Sequence, residues 1–93
     1  MEKKVRAHVI ITGRVQGVFF RYATMQAAEE RGVFGWVKNL RNGSVEALFE
    51  GSQENVVSML EWCKQGPPLA NVKHVEVEWE EFAGEFSRFE ITY

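Results

Sequence analysis

The most informative stretch of this chain covers nine residues and reads Gly13-Arg14-Val15-Gln16-Gly17-Val18-Phe19-Phe20-Arg21. Before it, residues 5–12 alternate between apolar and more polar side chains, a pattern that predicts a β-strand. After it, residues 22–31 predict a helix. Glycine allows backbone amides to turn inward, and the first amides of a helix have no intrahelical partner. A glycine-containing loop between a strand and a helix therefore predicts an anion site, and phosphate is a common occupant.

Arg21 strengthens the prediction of an anion site. A cation in the first turn of a helix faces the unfavourable, positive end of the helix dipole, so helix stability does not explain it. A guanidinium aimed at the same point as the loop amides is explained if an oxyanion lies between them. The alternative is a tight turn that carries a solvated arginine. Spacing alone leaves both interpretations open.

The rest of the chain predicts one further helix and four further strands. Asn42-Gly43 is a strong hairpin signal, Ser52 is a candidate helix N-cap, and Gly66 precedes two prolines that end the second helix. The predicted strands cover residues 5–12, 34–40, 45–50, 72–79 and 86–93. This order indicates one α+β domain over residues 1–93, a ferredoxin-like β-α-β-β-α-β sandwich. We expect an antiparallel sheet with both helices on one face and a short terminal fifth strand.

Composition and charge limit the function classes. The chain has 93 residues, a net charge of −2 and a single cysteine, so nothing favours nucleic-acid binding and no intramolecular disulfide can form. The charged N-terminus lacks the apolar segment of a signal peptide, and no apolar run approaches membrane-spanning length. We therefore expect a cytoplasmic protein that acts as a monomer.

The inventory of reactive side chains is small. The sequence contains no aspartate, no pair of closely spaced cysteines and no histidine pair at metal-binding spacing. His8 and His74 lie within predicted strands, where a histidine is more often a surface residue than a catalyst. Cys63 belongs to the apolar stripe of the second helix, so packing explains it better than nucleophilic chemistry. We expect neither a metal nor a cofactor.

Two motifs make a family resemblance recognisable. Residues 13–21 resemble the first signature of the acylphosphatase family, and Gly35-Trp36-Val37-Lys38-Asn39, followed by Gly43, Val45 and Gly51, resembles the second. Both occur in the right order and at the right separation, and the resemblance covers essentially the whole chain. It implies the ferredoxin-like fold and hydrolysis of acyl phosphates, with glycolytic bisphosphoglycerate and carbamoyl phosphate as the suggested substrates.

The resemblance also implies roles for individual residues. Arg21 takes the position of the family's phosphate-binding arginine, and Asn39 that of the asparagine that orients water. From its local sequence alone, Asn39 is equally consistent with a turn residue before the hairpin. The implied mechanism is in-line attack by water without a covalent intermediate. The phosphoryl group, or inorganic phosphate, would be bound by Arg21 and by the loop amides of Arg14, Val15, Gln16, Gly17, Val18 and Phe19.

Other functions for the same fold are less well supported by the residues. An RNA-recognition module needs basic charge and aromatic side chains on its open sheet face, where this chain is expected to place Arg6, His8, Ile10, Glu46, Leu48 and Glu50. We interpret the glutamates of that face as solvated. A regulatory ligand-binding domain or a pure interaction domain is the other alternative, because fold does not fix function. Fold geometry also suggests that the Tyr93 carboxylate pairs with Arg21 in the empty site.

Overall fold

The computed structural model describes residues 2–93, which form five strands and two helices. The strands and helices follow the predicted order. They are β1 Lys4–Arg14, α1 Phe20–Glu30, β2 Phe34–Asn39, β3 Val45–Ser52, α2 Gln53–Gln65, β4 Asn71–Glu80 and β5 Phe89–Ile91.

The strands form one sheet in the order β4-β1-β3-β2-β5. Strand β1 pairs antiparallel with both β3 and β4, and β2 pairs antiparallel with β3. Together with the two crossover helices, these four strands confirm the ferredoxin-like arrangement.

The prediction of a wholly antiparallel sheet is wrong for the last strand. Strand β5 pairs parallel with β2, through Gly35 with Phe89 and Val37 with Ile91, so the sheet is mixed. The reason is topological: β4 lies at the opposite edge and runs against β1. A chain that reverses direction after β4 must therefore run parallel to β1 and β2.

The core lies between the helices and one face of the sheet. Alternate residues of β1 are buried as predicted, namely Val5, Ala7, Val9 and Ile11. The stripe of α2 is also confirmed, since Val56, Met59, Leu60 and Cys63 are all buried. Each large aliphatic side chain buried in this way contributes about 1.5–3 kcal/mol.

One side-chain hydroxyl in each helical region bonds to the backbone. Ser52 caps α2 as predicted, because its hydroxyl accepts a hydrogen bond from the Asn55 amide at 3.2 Å. In α1, Thr24 is fully buried, and its hydroxyl donates to the Phe20 carbonyl at 2.7 Å. The hydroxyl is thereby satisfied inside the core.

The open face of the sheet is not as solvated as expected. Glu50 is 2% exposed. Its carboxylate accepts hydrogen bonds from the amides of Ala83 at 2.9 Å and Gly84 at 3.3 Å, and it pairs with Arg6 at 3.4 Å. Residues 81–88 therefore contact this face on their way from one sheet edge to the other. The interpretation of Glu50 as a solvated residue is wrong.

Among residues 2–93, no helix has both the length and the apolar character needed to cross a bilayer.

Candidate active site

The sheet register brings the two sequence motifs to the same edge. Val45 pairs with Ile11 on one side and with Asn39 on the other, so these three residues lie side by side across β1, β3 and β2. Neighbouring strands are about 4.8 Å apart, so the backbones of Ile11 and Asn39 are separated by roughly 10 Å. The loop that follows β1 thus begins next to the end of β2, where Asn39 lies.

A β-bulge directs the chain at the end of β1. The pairing of β1 with β4 shifts register between Thr12 and Gly13. Gly13 has φ of 125°, and a Cβ atom there would lie 2.2 Å from the carbonyl oxygen of Asn71. Only glycine fits both the backbone conformation and the close approach of β4. The bulge therefore explains why glycine opens the motif.

The loop of residues 15–19 is anchored by two buried side chains. Val15 and Val18 are 1% and 3% exposed, whereas Gly17 and Phe19 lie outside. Gly17 has φ of 73°, and Phe19 is the non-glycine residue with positive φ (62°) in the described part of the chain. Within residues 2–93, we find no hydrogen bond donated to a protein acceptor by the backbone amides of this loop.

The first turn of α1 adds further free donors. Phe19 occupies the N-cap in the left-handed conformation and provides no side-chain cap, and the first turn contains no acidic residue. The amide of Ala23 bonds to the Phe19 carbonyl at 3.0 Å. The positive end of this helix is therefore not neutralised by a capping side chain or an adjacent carboxylate.

The loop, the helix start and the end of β2 surround one cleft of about 290 Å³. Arg21 and Asn39, which the sequence singled out, both line it. Among the residues of this lining, Arg21 has the one formally charged side chain. The lining residues are Val15, Gln16, Gly17, Phe19, Phe20, Arg21, Tyr22, Asn39, Ile91 and Tyr93.

Two residues of the expected phosphate loop do not contribute their side chains to the cleft. Arg14 is exposed at the end of β1, and the Val18 side chain packs into the core. The role predicted for both residues is phosphate binding by their backbone amides. The positions of the side chains do not test this role.

Asn39 carries an unusual polar atom. Its side-chain oxygen, Oδ1, is buried and accepts no hydrogen bond, the one such side-chain atom found within residues 2–93. An unsatisfied buried acceptor costs about 1–3 kcal/mol, so such atoms are rare unless they have a role. Asn39 itself lines the cleft, so its side chain lies beside any molecule bound there.

Tyr93 meets Arg21 through its ring. The guanidinium carbon lies 4.9 Å from the ring centroid, within the range of a cation–π contact. Arg21 forms no ion pair with any carboxylate of residues 2–93, so the suggested pairing with the Tyr93 carboxylate is not found.

Sequence reasoning also missed Tyr22 and Ile91 as cleft residues, since no local pattern indicates which exposed side chains surround a site.

The remaining reactive side chains lie outside the cleft lining. Cys63 is fully buried in α2, and burial raises the pKa of its thiol to about 12. His8 contacts Glu46 on the open face at 2.6 Å, and His74 is exposed on β4. These positions are consistent with the structural roles expected for all three residues.

Comparison with known proteins identifies the family. A family model described as acylphosphatase matches residues 7–91. An acylphosphatase from Syntrophobacter fumaroxidans is 55% identical over 93 residues, which cover 100% of this chain and 95% of that protein. Another, from Pelotomaculum thermopropionicum, is 49% identical over 90 residues and covers 97% of this chain and 98% of its own length.

A solved structure agrees with the sequence relatives. The crystal structure of acylphosphatase from Bacillus subtilis matches with a TM-score of 0.93 at 38% identity, covering 96% of this chain and 99% of that one. The resemblance recognised in the two sequence motifs is confirmed. The chain belongs to the acylphosphatase family.

Proposed function

We propose that this protein hydrolyses acyl phosphates to a carboxylate and inorganic phosphate by in-line attack of water on phosphorus. Family membership supports the reaction class. The observation that carries the mechanism is the unpartnered Oδ1 of Asn39, a residue that lines the same cleft as Arg21. One group is an acceptor suited to water, and the other is a cation suited to a phosphoryl group.

The phosphoryl group binds to the backbone amides of residues 14–19 and to Arg21. Unpartnered amides around Gly17 and the start of α1 supply donors that are already oriented before the substrate arrives. The arginine supplies the positive charge and a planar pair of donors. Such preorganised donors stabilise the charge that spreads over the phosphoryl oxygens in the transition state.

Asn39 positions the attacking water. Its Oδ1 accepts a hydrogen bond from the water and directs the water's oxygen towards phosphorus. Phosphoryl transfer passes through a loose transition state, so the water needs orientation more than it needs deprotonation. A neutral amide is therefore sufficient, and it does not repel the phosphoryl group as a carboxylate would.

The leaving group explains why the cleft can lack a general acid. As water's oxygen bonds to phosphorus, the bond between phosphorus and the carboxyl oxygen breaks, and the carboxylate takes that electron pair. A carboxylic acid has a pKa of about 4, so the carboxylate departs without a proton. The proton released by water passes to solvent or to a phosphate oxygen. Among residues 2–93, no His, Asp, Glu, Ser or Cys side chain belongs to the lining of the cleft.

Matched substrates test the reaction class. Benzoyl phosphate and phenyl phosphate share the ring and the phosphoryl group, but the leaving group is a carboxylate in one and a much more basic phenolate in the other. We expect rapid turnover of benzoyl phosphate and turnover of phenyl phosphate that is slower by orders of magnitude. Equal rates on the two substrates would contradict the proposal.

Three variants test the roles of the two residues. We expect Arg21→Ala and Asn39→Ala each to reduce kcat about 100- to 1,000-fold on benzoyl phosphate. Arg21→Lys should recover little activity if the arginine binds through two parallel hydrogen bonds. Only Arg21→Ala should also greatly weaken competitive inhibition by inorganic phosphate. Near-normal turnover by Asn39→Ala would remove Asn39 from the mechanism.

The absence of a covalent intermediate has its own test. Rapid acid quenching during steady-state turnover of benzoyl [³²P]phosphate should leave no label on the protein. Stoichiometric labelling would indicate a phosphorylated side chain and overturn direct attack by water.

A further inference from the structure

The side chain of Gln16 connects the anion loop to the turn that follows Asn39. Its amide nitrogen Nε2 donates hydrogen bonds to the carbonyl oxygens of Leu40 at 2.7 Å and Ser44 at 2.8 Å. These acceptors lie 24 and 28 residues further along the chain. Both amide hydrogens of this side chain are used, so the contact is fully formed.

The two acceptors form the base of the β2–β3 turn. The Leu40 amide donates to the Ser44 carbonyl at 2.9 Å, and the Gly43 amide donates to the Leu40 carbonyl at 3.2 Å. Each carbonyl therefore accepts one bond from within the turn and one from Gln16. The side chain holds a turn that is already closed, and it holds the turn at a fixed distance from the loop.

This connection matters because, within residues 2–93, no hydrogen bond fixes the side-chain oxygen of Asn39. The placement of this atom, Oδ1, therefore depends on the backbone at the end of β2. Leu40, whose carbonyl Gln16 holds, is the next residue. Gln16 itself belongs to the loop that lines the cleft.

We propose that the Gln16 side chain is a positioning residue, which sets the distance between the bound phosphoryl group and the water held by Asn39. The inference rests on the proposed function. A displacement of 1 Å between reacting groups costs about 100-fold in rate. Gln16 acts through Asn39 and the loop, and its side chain need not touch the reacting atoms.

Two variants of Gln16 separate this role from a general structural one. Gln16→Met keeps the length of the side chain and removes both donors. We expect kcat on benzoyl phosphate to fall about 10- to 100-fold, while the inhibition constant of inorganic phosphate changes less than threefold. Gln16→Glu places a carboxylate against two carbonyl oxygens, which repel it and raise its pKa.

The pH profile of Gln16→Glu gives the sharper readout. When the glutamate is protonated, it regains one donor for a turn carbonyl. We therefore expect kcat of this variant, relative to wild type, to rise at least tenfold between pH 8 and pH 5. Gln53→Met and Gln53→Glu are the matched controls, because Gln53 is exposed and follows the opposite end of β3. Both should follow the wild-type profile.

A double variant shows whether Gln16 acts through Asn39. In the Asn39→Ala background, Gln16→Met should lower kcat less than threefold, because the water it helps to place is no longer held. The proposal is overturned if the two effects multiply, if Gln16→Glu has the wild-type pH dependence, or if Gln16→Met raises KM and leaves kcat unchanged. Failure of the proposed function would appear separately, as full activity of Asn39→Ala alone.

Discussion

Burial determines the chemistry of the single thiol. Cys63 packs among the core residues of α2, and burial raises the pKa of its thiol to about 12 from an ordinary value near 9. The thiolate is the nucleophile, so a thiol in this environment is inert at neutral pH. We expect native protein to resist alkylation by iodoacetamide at pH 8. We also expect Cys63→Ala to retain turnover within about twofold while losing about 1 kcal/mol of stability.

The same burial predicts a pH dependence of stability. Between pH 9 and 12 the unfolded state releases the thiol proton and the folded state keeps it, so the unfolded state binds fewer protons. Stability therefore falls as pH rises through this window. Urea unfolding of wild type and Cys63→Ala from pH 7 to 10.5 measures this effect. The difference between their free energies of unfolding should be constant up to about pH 9 and should shrink above it. A difference that stays constant throughout would contradict the assigned burial.

Single residues also show where sequence reasoning succeeds. Arg21 stood out because its charge opposes the helix dipole, and Asn39 stood out through a motif; both line the cleft. The side-chain role of Gln16 was not predicted, because its acceptors lie 24 and 28 residues away. A glutamine carries no local signal that tells which distant carbonyls it will meet.

At the scale of an element, the bulge at Gly13 places the anion loop. A methyl group at this position would meet the Asn71 carbonyl oxygen at 2.2 Å, in addition to the strain of a positive φ. We expect Gly13→Ala to lower the free energy of unfolding by at least about 3 kcal/mol and to reduce kcat in the molecules that remain folded. Chemical denaturation and steady-state kinetics provide the two measurements.

Gly43 offers a matched control in the β2–β3 turn. It also has positive φ, at 93°, but a Cβ atom there would meet nothing within 4 Å. Gly43→Ala should therefore lower the free energy of unfolding only by the cost of the positive φ, about 1–2 kcal/mol. Equal losses for the two variants would mean that the close approach of β4 contributes nothing.

Residues 81–88 form an irregular segment in which the amides of Ala83 and Gly84 bond to one carboxylate of the sheet. Glu50 accepts from the amides of Ala83 and Gly84 and pairs with Arg6. We expect Glu50→Gln to lower stability by about 1–3 kcal/mol and to speed hydrogen exchange of the two amides, since the acceptor loses its charge. Glu85→Gln alters an exposed partner of Arg6 and should lose less than about 1 kcal/mol. Unchanged exchange in Glu50→Gln would show that another contact holds the segment.

Elements differ in how far the sequence predicts them, and Glu50 and β5 show why. Period-two and helical patterns indicated β1 and α2 correctly, because one face of each packs against a continuous core. Glu50 followed the pattern of a solvated strand residue, but a segment 33 residues away covers it. The final strand was predicted over residues 86–93 and pairs only over Phe89–Ile91. It lies at the edge of the sheet, and the topology of the chain determines its pairing with β2. Such long-range contacts leave no periodic signal.

At the scale of the whole molecule, anion binding should be linked to folding. A ligand that binds only the folded state stabilises it by about 2.7 kcal/mol at a hundredfold excess over Kd. In a domain of this size each kcal/mol raises Tm by roughly 4–8 °C, so saturating phosphate should raise Tm by roughly 10–20 °C. Arg21→Ala should lose most of this shift, because it removes the one charged side chain of the cleft lining. Differential scanning fluorimetry over a phosphate titration measures both proteins under the same conditions.

A general salt effect on this chain, whose net charge is −2, is the main competing explanation for a rise of Tm in phosphate. Screening acts on exposed charges across the surface and does not distinguish one anion from another at equal ionic strength. Chloride at matched ionic strength should therefore leave Tm nearly unchanged, whereas phosphate raises it. Arg88→Ala is the control variant, because Arg88 is a strongly exposed arginine outside the cleft and its ion pair with Glu90 is also exposed. This variant should keep the phosphate response, and an equal loss in Arg21→Ala and Arg88→Ala would assign the stabilisation to surface charge and not to the cleft.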